Sequence, residues 1–381
     1  MSSTATQVND GRLTFQEAMS LTPLQEKVDA DGKVIKRYMS CRSAWVPGSD
    51  LPFAKAPFTV SAAYGGHVYS QAGMAASRAF SEMRAAAKDD RADKKFGIHT
   101  IHGFFSEAGL PDRPFIYDVA TVAANPSFIN LLVTARQPTC PSTSPDRDHY
   151  PAADASLPLG PVRFTALISL RPAGLSQLSV SEPPPQARFA SILGSRPPSA
   201  WAPAPLVDIA SVVAALPHET RTTFPGLELR KVDLAAFNAG KPLHERRELV
   251  LYRLLAPLST DDAAAAAADA HVMAHAFEAD RNGLLMAGNH AGFGFNFGRA
   301  ASLSYSFVVH VNPKDAVMRY SDDRDDREAW WVQEACFPRV EAGRGVVMSK
   351  IWSPRGVHVA TEYQDGLIRR NWKPGEREGK L

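Results

Sequence analysis

Apolar residues recur at helical spacing in two stretches of the chain, and strand-like runs follow each stretch. The first pattern predicts a helix from about His67 to Ala87. Its apolar positions share one helix face and are Val68, Ala72, Ala75, Ala79, Met83 and Ala86. The second predicts a helix from about Asp261, after the N-cap candidates Ser259 and Thr260.

The strand-like runs have the spacing of antiparallel hairpins. After the first helix come "HTIHGFF", "FIYDVATV", "FINLLVTAR" and "VRFTALISLR", and after the second come "LSYSFVVHV", "AWWVQEACF", "GVVMSKIW" and "VHVATEY". No βαβ alternation is present. The sequence therefore predicts an α+β fold with a weak internal repeat, in which each Ala-rich helix is wrapped by a curved antiparallel sheet.

A Pro-rich stretch from Pro172 to Pro205 divides the chain. Proline cannot donate the hydrogen bonds of a sheet ladder. We therefore expect this stretch to cross the surface without joining either sheet. The predicted organisation is an N-terminal repeat with an extension (1–171), a linker (172–205) and a C-terminal repeat (206–381).

Composition excludes several classes of protein. With 42 Lys+Arg against 40 Asp+Glu among 381 residues, nothing favours nucleic acid as a partner. The three cysteines, Cys41, Cys140 and Cys336, are far apart, which argues against a disulfide framework and suits an intracellular, cytoplasmic location. No apolar run predicts a transmembrane helix. The tail Gly379-Lys380-Leu381 resembles the peroxisomal signal S-K-L with Gly in place of Ser, so a peroxisomal location is the alternative.

Two glycines, Gly65 and Gly66, stand directly before the first predicted helix. They fit no phosphate-binding loop. The first N–H groups of a helix are unpaired and lie at the positive end of its dipole, so this turn is a candidate oxyanion-binding site. A tight turn without a ligand is the alternative.

The stretch "HVMAHAFEADRNG" places a carboxylate at a position where its charged form is energetically unfavourable. Asn282-Gly283 is a helix stop signal, so Asp280 falls in the last turn, on the apolar stripe of Met273 and Phe277. Burial there should raise the pKa of Asp280, as in a general base. The alternative is a solvated acid in a loop.

The order and spacing of several motifs resemble the acyl-CoA thioesterase II family. These motifs are "YGGHVYSQAGMAA", "IHTIHGFF", "RPFIYDVATVAANPSFINLLVTARQ", "HAFEADRNGLL", "ASLSYSFVVHVN" and "WWVQEACFPRVEAGRGVVMSKIWSPRGVHVATEYQDGLIR". The resemblance implies a double hotdog fold and acyl-CoA hydrolysis. It places the catalytic residues at Asp280, Ser302 and Gln364. The turn Tyr64-Gly65-Gly66-His67 is expected to bind substrate.

Thioester hydrolysis needs an oriented water, a base and an oxyanion donor. Asp280 would be the base, while Ser302 and Gln364 would orient the water. No metal or redox cofactor is expected, and CoA enters as part of an acyl-CoA or acyl-carrier thioester. Assembly into a homo-oligomer is compatible with the sequence. Two alternatives remain: a hotdog dehydratase or cyclase acting on a thioester-bound intermediate, and a non-catalytic acyl-CoA or lipid binder.

Two details of the sequence bear on this prediction. In "LSYSFVVHV" the apolar face alternates with Ser302, Ser304 and Ser306, so Ser302 can reach the helix only where the strand bends. Ser304-Tyr305 also stands where the family usually carries Asp-His, which implies a different substrate orientation. His271 and His275 have metal-ligand spacing on a helix, although packing histidines are the simpler interpretation.

Overall fold

The computed structural model describes residues 11–51, 62–87, 96–144, 149–216, 222–258 and 264–371. The N-cap candidates at 259–261 and the tail at 379–381 lie outside these ranges. Among the described helices, none is both long enough and apolar enough to cross a lipid bilayer.

The described residues form strands, α-helices and short 3-10 helices. The strands are β1 (Leu21–Val28), β2 (Val34–Ser40), β3 (Phe96–Phe105), β4 (Ile116–Ala124), β5 (Ile129–Pro138), β6 (Leu159–Pro172), β7 (Ala202–Pro203), β8 (Leu227–Lys231), β9 (Arg247–Leu254), β10 (Phe297–Val309), β11 (Trp331–Glu341), β12 (Arg344–Trp352) and β13 (His358–Arg370). The α-helices are α1 (Phe15–Ala18), α2 (Gly65–Ala87), α3 (Pro185–Arg188), α4 (Ala190–Leu193), α5 (Ala210–Ala215), α6 (Ala235–Asn238), α7 (Ala264–Ala279) and α8 (Gly283–His290). The 3-10 helices are Ala152–Ser156, Pro198–Ala200, Leu243–Glu245, Gly294–Asn296, Pro313–Ala316 and Arg327–Ala329.

The strands form one antiparallel sheet in the order β1-β2-β4-β5-β6-β3-β10-β13-β12-β11-β9-β8-β7. The β3–β10 pair joins the two halves of the chain, with Gly103 opposite Tyr305. Outward from this pair, the first half runs β6, β5, β4, β2 and the second runs β13, β12, β11, β9. The order of strands is therefore the same in both halves, as the twofold pattern of the sequence predicts.

The long helices α2 and α7 pack against each other inside the curved sheet. On the predicted α2 stripe, Ala72, Ala75 and Ala79 are fully buried, whereas Ala86 near the end of the helix is exposed. Where the helices cross, Gly73 faces the side chain of Met273 and leaves no room for a Cβ atom. Small residues thus let the two helices approach closely, and both helices also contact β3 of the sheet.

The Pro-rich stretch is only partly the surface crossing that its prolines predict. Residues 173–183 are exposed, but Phe189 and Trp201 are buried in an apolar cluster with Trp330 and Trp352. Its strand β7 is two residues long and pairs with β8 at the sheet edge. The stretch contributes no interior strand, and its two aromatic side chains fasten it to the second half.

Candidate active site

Asp280 lies at the contact between the two long helices. It follows the last residue of α7 and is 6 % exposed. Its Oδ2 accepts a 2.6 Å hydrogen bond from the N–H of Gly66, in the first turn of α2. An acid from the second half of the chain is therefore held by the positive end of a helix from the first half.

Two strands bring polar side chains to the same carboxylate. Gln364 on β13 donates from Nε2 to Asp280 Oδ1, and also to Ser302 Oγ at 2.9 Å. Ser302 on β10 donates to Oδ1 at 3.4 Å. The structure thus brings together the three residues that the sequence selected as a set.

An irregularity in the β10–β13 ladder turns Ser302 toward the helix. Ser302 pairs with Gly366 and Ser304 pairs with Asp365, so the register shifts between them and Leu303 is the extra residue. Such a bulge bends the strand and re-aims its side chains. The alternation of β10 predicted that Ser302 could reach the helix only through a bend in the strand. The bulge lies at this position.

The local fold around Asp280 differs in one respect from the sequence prediction. Asn282 adopts a left-handed conformation with φ 60°, as expected of a helix stop. However, a second helix, α8, begins at the next residue, Gly283. Asp280 therefore lies in a tight junction between two helices, rather than within the last turn of one helix followed by a loop.

Burial raises the pKa of Asp280 to about 7. The N–H of Gly66, the side chains of Ser302 and Gln364 and the charge of Arg281 lower it in part. The desolvation cost outweighs these donors. Near neutral pH the carboxyl group can therefore both accept and release a proton, as a general base requires.

These residues face a cavity of about 430 Å³. Its wall is largely apolar and includes Phe105, Val207, Leu284, Leu285, Phe297 and Leu303. Asp280, Ser302 and Gln364 line it together with Tyr64, Gly65 and Arg281. The described lining residues carry two carboxylates: Glu107 pairs with Arg163 at 2.8 Å, whereas Asp280 is held by Ser302 and Gln364 and is the side chain suited to general-base chemistry.

The predicted substrate-binding turn has divided roles. Tyr64 and Gly65 line the cavity, and the Tyr64 hydroxyl donates to the carbonyl of Phe277 at 2.7 Å. The N–H of Gly66, a candidate oxyanion donor, is bonded to Asp280 instead. His67 does not reach the cavity. Its Nδ1 accepts from the N–H of Trp45 at 3.4 Å, and burial lowers its pKa to about 3.

The histidine pair on α7 is occupied by protein groups. Nδ1 and Nε2 of His275 contact the Tyr252 hydroxyl at 2.7 Å and the Ala316 carbonyl at 2.8 Å. His271 accepts from the N–H of Met318 at 3.2 Å. These are packing histidines, and within the described ranges no group of three or more His, Cys, Asp or Glu could hold a metal ion.

Sequence reasoning missed two residues beside Asp280. Gln333 donates from Nε2 to the carbonyl of Ala279, the last residue of α7, at 2.9 Å. Arg281 lines the cavity and follows Asp280 directly in the chain. A cation next to a candidate base was a visible signal, whereas nothing in the sequence pairs Gln333 with the end of α7.

Comparison with known proteins shows the fold. No protein-family model and no curated protein sequence matches the chain. Among solved structures, the chain is similar to an acyl-CoA thioesterase II, TesB2, of Mycobacterium marinum, at 19 % identity and a TM-score of 0.53 over 95 % of this chain and 99 % of that one. A tesB protein of Mycobacterium avium subs paratuberculosis matches at 16 % identity and 0.53, over 93 % and 98 %. A putative thioesterase II of Thermobifida fusca matches at 10 % and 0.55, over 94 % and 99 %. These matches confirm, at the level of fold, the resemblance that the motifs indicated, and the chain has a hotdog fold with a large antiparallel sheet.

Proposed function

We propose that this chain hydrolyses acyl thioesters of CoA, or of an acyl carrier, by activating a water molecule with Asp280. One observation carries the proposal: Asp280, Ser302 and Gln364 meet in hydrogen-bond contact at the wall of an apolar cavity. An apolar cavity with a few convergent polar groups suits an acyl chain and its thioester.

The mechanism follows from the donors and acceptors present. Water held by Ser302 and Gln364 would lose a proton to Asp280 and attack the thioester carbon. Gly65, at the start of α2, lines the cavity, and its N–H would hold the developing oxyanion. The tetrahedral intermediate then expels the thiolate, which takes up a proton. Because water is the nucleophile, the reaction needs no acyl-enzyme and no metal or redox cofactor.

We also propose that the two halves are hotdog repeats, 1–171 and 206–381, joined by residues 172–205, and that only the second carries catalytic residues. The helices cross at Gly73 and Met273. Asp280 follows Met273 by seven residues, and the residue seven positions after Gly73 is Phe80. Phe80 is buried against Phe96, with ring centroids 5.3 Å apart. This apolar packing supports one active site per chain.

Release of free thiol from a panel of acyl-CoAs of increasing chain length tests the proposed activity. We expect thiol release by the wild-type chain and loss of that release in Asp280→Asn. Product formation without free CoA would instead indicate a dehydratase or cyclase. Saturable binding of acyl-CoA without turnover would indicate a binding protein, and either result would reject the hydrolase.

A further inference from the structure

Arg281 is a buried cation at the wall of the candidate active site. Its side chain is 5 % exposed and lines the cavity beside Asp280. The guanidinium carbon lies 4.6 Å from the ring centroid of Trp45 and 4.7 Å from that of Phe224. Two aromatic rings therefore fix the orientation of this group.

The guanidinium makes no hydrogen bond or ion pair with any residue in the described part of the chain. Two neighbouring carboxylates are bonded to other donors: Asp208 pairs with Lys231, and Asp50 accepts from the N–H of Thr223 through Oδ2, while its Oδ1 has no hydrogen-bond partner among the described residues. Burial lowers the pKa of Arg281, yet an arginine stays protonated at neutral pH. A buried charge without an ionic partner is costly, and contact with aromatic rings offsets only part of that cost.

The cavity offers an anion no other cation among its described lining residues. Its other charged lining residues are Asp280 and Glu107, and both are acidic. A guanidinium whose donors are unused matches the paired oxygens of a carboxylate or phosphate. The cavity wall therefore presents a cation that can pair with an anionic group of a bound substrate.

We propose that Arg281 receives an anionic oxygen group of the substrate, which makes this a site for thioesters that carry a negative charge within reach of the reacting carbonyl. The inference rests on the proposed function, because it takes a thioester at Asp280 as the ligand. It assigns a specificity role to Arg281, separate from the water-activating residues.

Distance favours a carboxylate on the acyl chain as the source of that charge. The charge of Arg281 lowers the pKa of Asp280, and both side chains line the same cavity, so the guanidinium lies within Coulombic range of the Asp280 carboxylate. The reacting carbonyl must lie within hydrogen-bond or one-water reach of Asp280. The anion bound by Arg281 is therefore separated from the thioester by only a few bonds, as in a short dicarboxylic acyl group. The phosphates of CoA lie at the far end of the pantetheine arm.

Binding of non-hydrolysable thioethers tests the inference independently of turnover. The probes are 4-carboxybutyl-CoA, pentyl-CoA and the same two thioethers of N-acetylcysteamine, which lack phosphates. Calorimetric titration gives the dissociation constants for the wild type, Arg281→Met and Arg281→Lys. Arg196→Met is the matched control, because the guanidinium of Arg196 also lies over an aromatic ring, that of Trp201 at 4.4 Å, and Arg196 lies outside the cavity lining.

We expect Arg281→Met to weaken binding of both carboxylated probes by at least about 30-fold relative to the pentyl probes. Arg281→Lys should restore part of this preference, and Arg196→Met should retain it. Equal loss on both CoA probes, with none on the N-acetylcysteamine probes, would assign the anion to the CoA phosphates and retain the receptor role. Unchanged affinity of Arg281→Met for all four probes, or equal loss on all four probes, would overturn the inference. Because thiol release is a separate measurement, an inactive wild type would reject the hydrolase alone.

Discussion

Replacing Asp280 with Asn should stabilise the folded chain while it removes hydrolysis. In the native structure the carboxyl group is buried, and its pKa is raised to about 7 from an ordinary 3.8. Unfolding exposes the group to water, where it ionises freely. Asparagine keeps an oxygen to accept from the N–H of Gly66 and never has to be buried as a charge.

The magnitude follows from linkage between ionisation and folding. A carboxyl group whose pKa is higher in the folded state binds more protons there, so stability falls as pH rises from about 4 to about 7. A difference of about 3 pH units at 1.36 kcal/mol each costs the wild type about 4 kcal/mol at pH 8. Asp280→Asn should recover this amount at pH 8 and little of it near pH 4.

Asp269 provides a matched control on the same helix. It is buried, its pKa is also raised to about 7, and it accepts from Ser77 Oγ at 2.5 Å and from the N–H of Ile98 at 2.8 Å. It does not line the cavity. Asp269→Asn should therefore give a similar gain at high pH and keep the activity.

Urea unfolding from pH 4 to pH 8, together with thiol release, measures both effects. If Asp280→Asn were no more stable relative to wild type at pH 8 than at pH 4, burial would not penalise the Asp280 carboxylate. If Asp269→Asn also abolished hydrolysis, the loss in Asp280→Asn could not be assigned to the missing base.

Four further outcomes are expected. Because Asp280 must be ionised to act as a base, kcat/KM should rise about tenfold per pH unit below about pH 7 and level off above it; a flat profile would exclude this base. Gln364→Ala should lower kcat about 100-fold with the fold intact by circular dichroism, and normal turnover would remove Gln364 from the mechanism. A methyl group on Gly65 would lie 3.1 Å from the Asp280 carboxylate. Gly65→Ala should therefore lower kcat by about tenfold or more, whereas Gly174→Ala, whose methyl group would have 4.0 Å of clearance, should not. Gly73→Ala adds a methyl group at the helix crossing and should lower the free energy of unfolding by about 1–3 kcal/mol, measured in urea.

The sequence predicted the features that depend on local patterns. The apolar stripe on α2 led to a helix that begins at Gly65, two residues before the predicted start. The position of Asp280 on the stripe of Met273 and Phe277 indicated a buried acid, and it is buried. The alternation of β10 indicated that Ser302 needs a bend, and the ladder shifts at that residue. Periodicity determines which residues turn inward, so these predictions needed no knowledge of distant contacts.

Contacts between distant segments were not predictable in the same way. The N–H of Gly66 meets an acid 214 positions away. Proline content identified residues 172–205 as irregular, but burial of Phe189 and Trp201 depends on a surface built from other strands. The sequence also could not show that Arg281 has no hydrogen-bonding partner among the described residues. That property depends on all the residues packed around the side chain, such as Trp45 and Phe224, which lie far from it in sequence.

Because α2 and α7 belong to one chain, their residues can be substituted independently of each other. In an assembly of two identical subunits, every substitution occurs twice, and both ends of a symmetric helix pair must tolerate it. Here the two helices are encoded separately, so the end of the pair near Gly66 can place Asp280 at the cavity, while the other end carries Asp269 outside the cavity lining. An acid is buried at each end, but Asp269 accepts from Ser77 of α2 and from the N–H of Ile98 and so holds segments together, whereas Asp280 faces the cavity. Joining the halves covalently thus allows one end of the helix pair to specialise in chemistry and the other in cohesion.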